Sequence, residues 1–341
     1  MSWLGIDIGG ANLKIADVRG FATSRRFDLW RSPGQLDRQL LALLGEAPAA
    51  DRLAVTMTGE LADCFATKAE GVRWILQCVD RAREGRDVRV YLVDGRLASL
   101  EVALSSPHLA AASNWHVLAR YAWRHLAPGP GLMLDVGSTT TDLIPLIRGN
   151  PAVDRADDTS RMIRGQLVYT GVVRSPVCAV ANAVDYRGGR CPLAQEVFAT
   201  MRDVYLVLGE MPPDDTDTAT ADGRPATGQA ARSRLARAIC ADADSFTDSD
   251  AQVAARSLAR AQVGRVVAGI EQVTRAMPQR PVAVVICGQG EFLARHALQR
   301  TVPQAEVVSL AQRLGPQVSS CGPAHALATI ALEEAGEGNV A

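Results

Sequence analysis

The chain has 341 residues, of which 48% are apolar and 5% aromatic, and 36 basic residues nearly balance 37 acidic ones for a formal net charge of −1. That length and apolar content can bury a large core and fit two domains or one large one, while mixed charge and few aromatics exclude a nucleic-acid surface. No basic and apolar leader opens the sequence and no run reaches the length of a membrane span, so a cytoplasmic protein with no membrane partner is expected.

The seven cysteines, Cys64, Cys78, Cys178, Cys191, Cys240, Cys287 and Cys321, are scattered without CxxC pairing, and read as small buried thiols rather than disulfides or zinc ligands.

The chain opens on a hairpin, LGIDIGGANLKIADV (4–18), in which an apolar strand meets Asp7, turns through Gly9, Gly10 and Asn12, and returns past Lys14. Arg25 to Trp30 reads as a third strand and Gln35 to Leu44 as a helix. Leu53 to Thr58 alternates apolar and polar residues and stops at Gly59. The next stretch crowds Glu60, Asp63, Lys68 and Glu70 ahead of a helix with Val72, Ile75, Leu76 and Val79 on its apolar face. Charged residues between a strand end and a helix start are where an α/β protein often keeps its site, although Asp63 and Glu70 equally suit the N-terminus of a helix. Val88 to Val93 predicts another strand, and Ser113 to Leu126 a helix capped by Ser113 or Asn114.

The break APGPG (127–131) places a domain junction ahead of a second hairpin, GLMLDVGSTTTDLIPL (131–146). Asp135 follows a buried strand and precedes Gly137, Ser138, Thr139 and Thr140, whose amides and hydroxyls suit anionic oxygens beside a metal held by the carboxylate. Aligned on Asp7 and Asp135, the two hairpins match in the acid, the first glycine and the resumed strand, which suggests two similar halves with phosphate held between them.

Beyond it, Thr159 to Arg164 predicts a short helix and Gln166 to Val173 a strand leading to Arg174, which can serve a phosphate or lie on the surface. Glu196 to Leu208 predicts a helix. Residues 209–229 carry no apolar periodicity and are expected to be a flexible loop, its Asp222-Gly223-Arg224 turn placed to close over a ligand. Helices are expected over 230–241 and 249–277, then the strand ending at Cys287. Gly288-Gln289-Gly290 opens the helix Glu291 to Arg300; it either brings backbone to a nucleotide or substrate or merely eases a strand-to-helix crossover. An alanine-rich helix over Pro323 to Glu334 closes the chain.

Two Asp-Gly hairpins and a late strand-Gly-x-Gly-helix resemble the actin, sugar-kinase and heat-shock-ATPase superfamily. The implied fold is α/β, with two ribonuclease-H-like (actin-like ATPase) domains and a cleft between them. The expected bounds are 1–126 with the C-terminal helix 322–341 for the first domain, and 127–321 for the second. The segments GIDIGGANLK (5–14), TGELADCFATKAEGV (58–72), SNW (113–115), LDVGSTTTDLIPL (134–146), LVYTGVVRSPV (167–177) and TADGR (220–224) together are similar to the hydantoinase/oxoprolinase-related proteins of tetrahydromethanopterin-linked one-carbon metabolism.

That resemblance implies a transferase of methanofuran or methylofuran biosynthesis, joining a furanylmethyl diphosphate to the phenol of gamma-glutamyltyramine, or a tyrosine-like equivalent, with loss of diphosphate. Asp7 and Asp135 are the expected ligands of Mg2+. Together with Lys14, Lys68 and Glu60, the last as general base, they form the candidate catalytic set. Gly9, Gly10, Asn12, Gly137, Ser138, Thr139, Thr140 and Arg174 are candidates for phosphate, and Gly288 and Gly290 for nucleotide or substrate. The wider superfamily implies two alternatives: an ATP-dependent kinase or oxoprolinase-like ATPase, and a non-catalytic ATP-binding scaffold. Of the 36 basic residues only Lys14 and Lys68 are lysines, and both fall in these segments.

Overall fold

The structure, a computed structural model, describes residues 2–337. Strand β1 (Trp3–Ile8) sends Leu4, Ile6 and Ile8 into the main apolar core, while Gly5 and Asp7 lie on its other face by the two-residue period of a strand. It pairs antiparallel with β2 (Asn12–Ala16), which pairs antiparallel with β3 (Ala22–Arg26). Strand β3 lies earlier than Arg25 to Trp30. The Asp17 carboxylate gathers the amides of Arg19 and Phe21 at 2.8 and 2.9 Å and closes a tight turn, and the amides of Phe27 and Leu29 pass to the carbonyls of Ala11 and Gly10.

Helix α1 (Leu36–Glu46) and strand β4 (Arg52–Met57) follow, β4 running parallel to β1. Helix α2 (Lys68–Ala82) begins where the Thr67 hydroxyl accepts the Glu70 amide, and buries Val72, Ile75, Leu76 and Val79 as the spacing predicts. Strand β5 (Asp87–Tyr91) is parallel to β4, and β6 (Leu97–Ser99) antiparallel to β5. Helix α3 (Asn114–Ala122) is shorter than the periodicity suggests and passes into a 3-10 turn at Trp123–His125. Neither expected cap acts there, because the Ser113 hydroxyl is engaged with Thr56 at 2.7 Å.

Strands β7 (Gly131–Val136) and β8 (Thr141–Ile147) form the second hairpin, and β9 (Asn150–Pro151) pairs with β8. After α4 (Asp158–Ile163), strand β10 is only Leu167–Val168, where Gln166 to Val173 was expected to be extended throughout. The chain leaves the sheet because the Thr170–Arg174 stretch bonds to the turn of the second hairpin instead. A small hairpin, β11 (Ala183–Tyr186) and β12 (Gly189–Pro192), precedes α5 (Met201–Leu208), which starts only at the Thr200/Asp203 capping box and not at Glu196.

Helices α6 (Gly228–Ala238) and α7 (Asp248–Ala276), strand β13 (Ala283–Cys287), helix α8 (Glu291–Thr301), strand β14 (Glu306–Ser309) and helix α9 (Gly322–Glu337) complete the order. Residues 338–341 of the expected C-terminal helix lie outside the described residues.

The first sheet runs β3-β2-β1-β4-β5-β6 and the second β10-β8-β7-β13-β14. Each places its own hairpin and third strand on one side and two crossover strands on the other, the ribonuclease-H-like order repeated. This is the expected α/β class of two actin-like halves. The chain divides into two compact units, Met1–Met133 with Leu146–Asp158 and Val307–Ala341, and Leu134–Pro145 with Thr159–Glu306. In the first, α9 packs on the Gly5 face of β1 so closely that a β-carbon at Gly5 would lie 1.9 Å from the Ala324 carbonyl oxygen.

Candidate active site

In the first unit the register sets Asp7 opposite Lys14 of β2 and Thr56 of β4. Asp7 is only 4% exposed, and its Oδ1 has no hydrogen-bond partner. Burial pushes its carboxyl up, and the Lys14 charge opposes that in part. The Gly9 amide donates to the Asn12 carbonyl at 2.9 Å and closes the turn. Around Gly10 a β-carbon would meet nothing within 4 Å, so no protein contact requires glycine there. Open space beside a glycine backbone is what a close-lying phosphate needs.

Glu60 sits just after β4, 1% exposed, with Oε2 unpartnered. Gly71 of α2 holds it: a β-carbon there would come within 2.5 Å of the Glu60 carbonyl oxygen and 2.7 Å of its α-carbon. Burial, with the Asp158 charge adding to it, lifts the Glu60 carboxyl to about 7; its own amide, the Lys68 ammonium and the Ala112 amide act the other way. Ala112 presents that amide from a left-handed conformation, φ 48°, which an L side chain rarely adopts. Lys68, the first residue of α2, bonds not to Glu60 or Glu70 but to Asp158, Nζ to Oδ2 at 2.5 Å. Glu70 instead accepts the Ala66 amide at 3.2 Å, in keeping with a helix-start acid.

In the second unit Gly137 closes its turn by donating to the Thr140 carbonyl at 2.9 Å. The turn rests on the segment that left the sheet. The Ser138 carbonyl accepts the amides of Val173 and Arg174 at 3.1 and 2.8 Å, and a β-carbon at Gly171 would lie 2.5 Å from Ser138 and Thr139 backbone.

A buried network fixes that segment. The Thr141 hydroxyl donates to the Thr170 carbonyl, and Gln262 of α7 donates to the Thr170 hydroxyl and the Gly171 carbonyl, each at 2.8 Å. Gln262 accepts the Tyr205 hydroxyl at 2.5 Å, and the Ser175 hydroxyl accepts the Gly171 amide at 2.8 Å. Ser138, Thr139 and Thr140 therefore stand on a rigid support.

Gly288 and Gly290 have a packing task. Gly288 has φ 84°, and a β-carbon on it would lie 2.4 Å from Asp135 Oδ1; one on Gly290 would lie 2.4 Å from Val136 Cγ1. The pair wraps the half-buried Asp135. The Arg174 side chain is exposed. The Asp222-Gly223-Arg224 turn is tied down, since Asp222 accepts from Arg224 and from the buried Arg234, which also bonds Asp203. Asp222 thus anchors residues 209–229.

Sequence reading missed Asp158, the Thr56–Ser113 pair and Gln262. It also missed Asp142, the hairpin equivalent of Lys14, whose carboxylate pairs with the buried Arg161. The acidic run ahead of α4 was the one available signal for Asp158.

Among the described residues no three His, Cys, Asp or Glu side chains gather as a metal site made by protein alone. Magnesium takes few carboxylates and completes its shell with water and phosphate, and the buried Asp7 Oδ1, which has no hydrogen-bond partner, has its lone pairs unused for such a cation. Among the described residues no helix is long and apolar enough to cross a membrane.

Residues 51–333 match the family described as hydantoinase/oxoprolinase. A (4-{4-[2-(gamma-L-glutamylamino)ethyl]phenoxymethyl}furan-2-yl)methanamine synthase of Methanocaldococcus jannaschii is 32% identical over 330 residues, 96% of each chain. A synthase of the same name from Methanococcus vannielii is 25% identical over 205 residues, covering 60% of this chain and 91% of its own. Among solved structures, nucleotide-free acetone carboxylase aligns over 96% of this chain and 70% of its own, at 11% identity and a TM-score of 0.55.

Proposed function

The chain belongs to the hydantoinase/oxoprolinase family, and from that premise we propose that it is a transferase forming an aryl furfuryl ether in methanofuran-type cofactor synthesis. What carries the reading is the match over 96% of the chain to a synthase whose named product contains a phenoxymethylfuran. The bond to be made joins a phenol oxygen to the methylene of a furan. With a furanylmethyl diphosphate as donor and a gamma-glutamyltyramine-like phenol as acceptor, the phenol loses its proton and its oxygen attacks the methylene. The carbon–oxygen bond to diphosphate breaks, and diphosphate leaves with the bonding pair.

The residues suit that division of labour. Glu60 is the base: a carboxyl poised at about 7 is ionised in a useful fraction near neutrality and still holds a proton well once it has one. In the first unit Lys14 and the open turn at Gly10 would supply charge and donors to phosphate oxygens; in the second unit the Gly137–Thr140 turn is suited to the same task. Asp7 in the first unit and Asp135 in the second are each, taken within its own unit, a carboxylate that would hold Mg2+. When bound, the ion supplies charge neutralisation of the leaving diphosphate.

The test is purified protein with a synthetic furanylmethyl diphosphate and tyramine or its gamma-glutamyl derivative, with and without ATP. Ether product and diphosphate formed in equal amounts without ATP is the expected result. Product that forms only as ATP is hydrolysed would replace this reading with the ATP-using one.

A further inference from the structure

Lys68 is one of two lysines in a chain that otherwise uses arginine, and it occupies the first position of α2. A cation there works against the helix dipole, so helix formation does not account for it. It lies close enough to Glu60 to act on it electrostatically, and a lysine bonded to that carboxylate would hold it as one half of an ion pair. Its ammonium is instead bonded to Asp158, at the first position of α4, 90 residues away in sequence. The Asp158 side chain is 19% exposed and that of Lys68 38%, so the pair reaches solvent while Glu60, 1% exposed, does not.

We infer that Asp158 is a positioning residue: by engaging Lys68 it keeps that ammonium from capturing Glu60, and so leaves the buried carboxyl free to exchange a proton with substrate. The inference rests on the reading of Glu60 as base, which it deepens. The charged groups that act most on Glu60 are Asp158 at the start of α4 and Lys68 from α2, and the chain ahead of α3 brings the Ala112 amide. Removing either partner therefore acts on Glu60 in a predictable and opposite sense. Loss of Asp158 removes a negative charge and releases a positive one. Loss of Lys68 removes the positive charge and keeps the negative charge of Asp158 beside Glu60.

The experiment is a carbon-13 NMR titration of full-length protein labelled at glutamate carboxyls, with the Glu60 signal assigned by its absence in Glu60→Gln. It compares wild type with Asp158→Asn, Lys68→Met and Asp158→Glu. The Glu60 midpoint is expected to fall by about one pH unit in Asp158→Asn, to rise by a similar amount in Lys68→Met, and to return toward wild type in Asp158→Glu. A pair that merely tethered α2 to the chain at Asp158 would lower the melting temperature in both variants and leave the midpoint where it was. An unmoved midpoint, or movement in the same direction in both, overturns the inference. The pH–rate profile separates this from the premise: if the midpoint moves as expected but the rate limb does not follow it, Asp158 keeps its role and Glu60 loses that of base.

Discussion

Replacing Glu60 by glutamine should stabilise the fold while abolishing turnover, and the size of the gain is set by pH. The carboxyl is 1% exposed, Oε2 has no partner, and burial raises it from an ordinary 4.5 to about 7. Below 4.5 the group is protonated both folded and unfolded and contributes nothing. Between 4.5 and 7 the folded chain holds the proton and the unfolded chain has lost it, so stability falls as pH rises. Above 7 both are ionised and the full burial penalty stands. Each pH unit between the two values is worth about 1.4 kcal/mol, which makes the penalty about 3 kcal/mol at pH 8. Glutamine fills the same space without the charge. Urea unfolding at pH 4.5 and pH 8 should show the variant within about 0.5 kcal/mol of wild type at the lower pH, and about 3 kcal/mol more stable at the higher. A difference of the same sign and size at both would refute the reasoning, because it would mean that Glu60 does not titrate between folded and unfolded states in this range.

On the proposed reading Asp7→Asn and Asp135→Asn should each lower turnover at least about 100-fold, since each deletes a carboxylate that would hold a cation. Because the Asp7 charge is itself raised in energy by burial, Asp7→Asn should melt no lower than wild type; activity near wild type in both variants would remove the two hairpins from the site. Gly10→Ala and Gly288→Ala should part company. The first meets open space and should keep its melting temperature while losing turnover, whereas the second drives a β-carbon to 2.4 Å from Asp135 Oδ1 at φ 84° and should lose both. Equal behaviour of the two would show that Gly10 borders no ligand.

The two Asp-Gly hairpins, the strands around them and the apolar face of α2 were legible in the amino-acid order, because each is specified within a dozen residues. Alternation marks a strand, a 3.6-residue period marks a helix, and glycine after an acid marks a turn. The repeat of one hairpin in the other carried the doubled fold, and the motif segments carried the family. What only the tertiary structure decided was which side chains meet. Lys68 stands eight residues from Glu60 and two from Glu70 in sequence, yet it pairs with Asp158, because the fold of the first unit brings that residue to the N-terminus of α2. Ser113 fills a position suited to capping a helix but is turned to Thr56, since two buried hydroxyls satisfy each other. Gly288 and Gly290 look like a ligand loop in one dimension and in three are the clearance for Asp135 and Val136. The perturbed proton affinity of Glu60 has the same origin: it is made by the loss of water around one carboxyl. That loss is a property of the packed α2, β4 and Ala112 backbone, and no local pattern of residues encodes it.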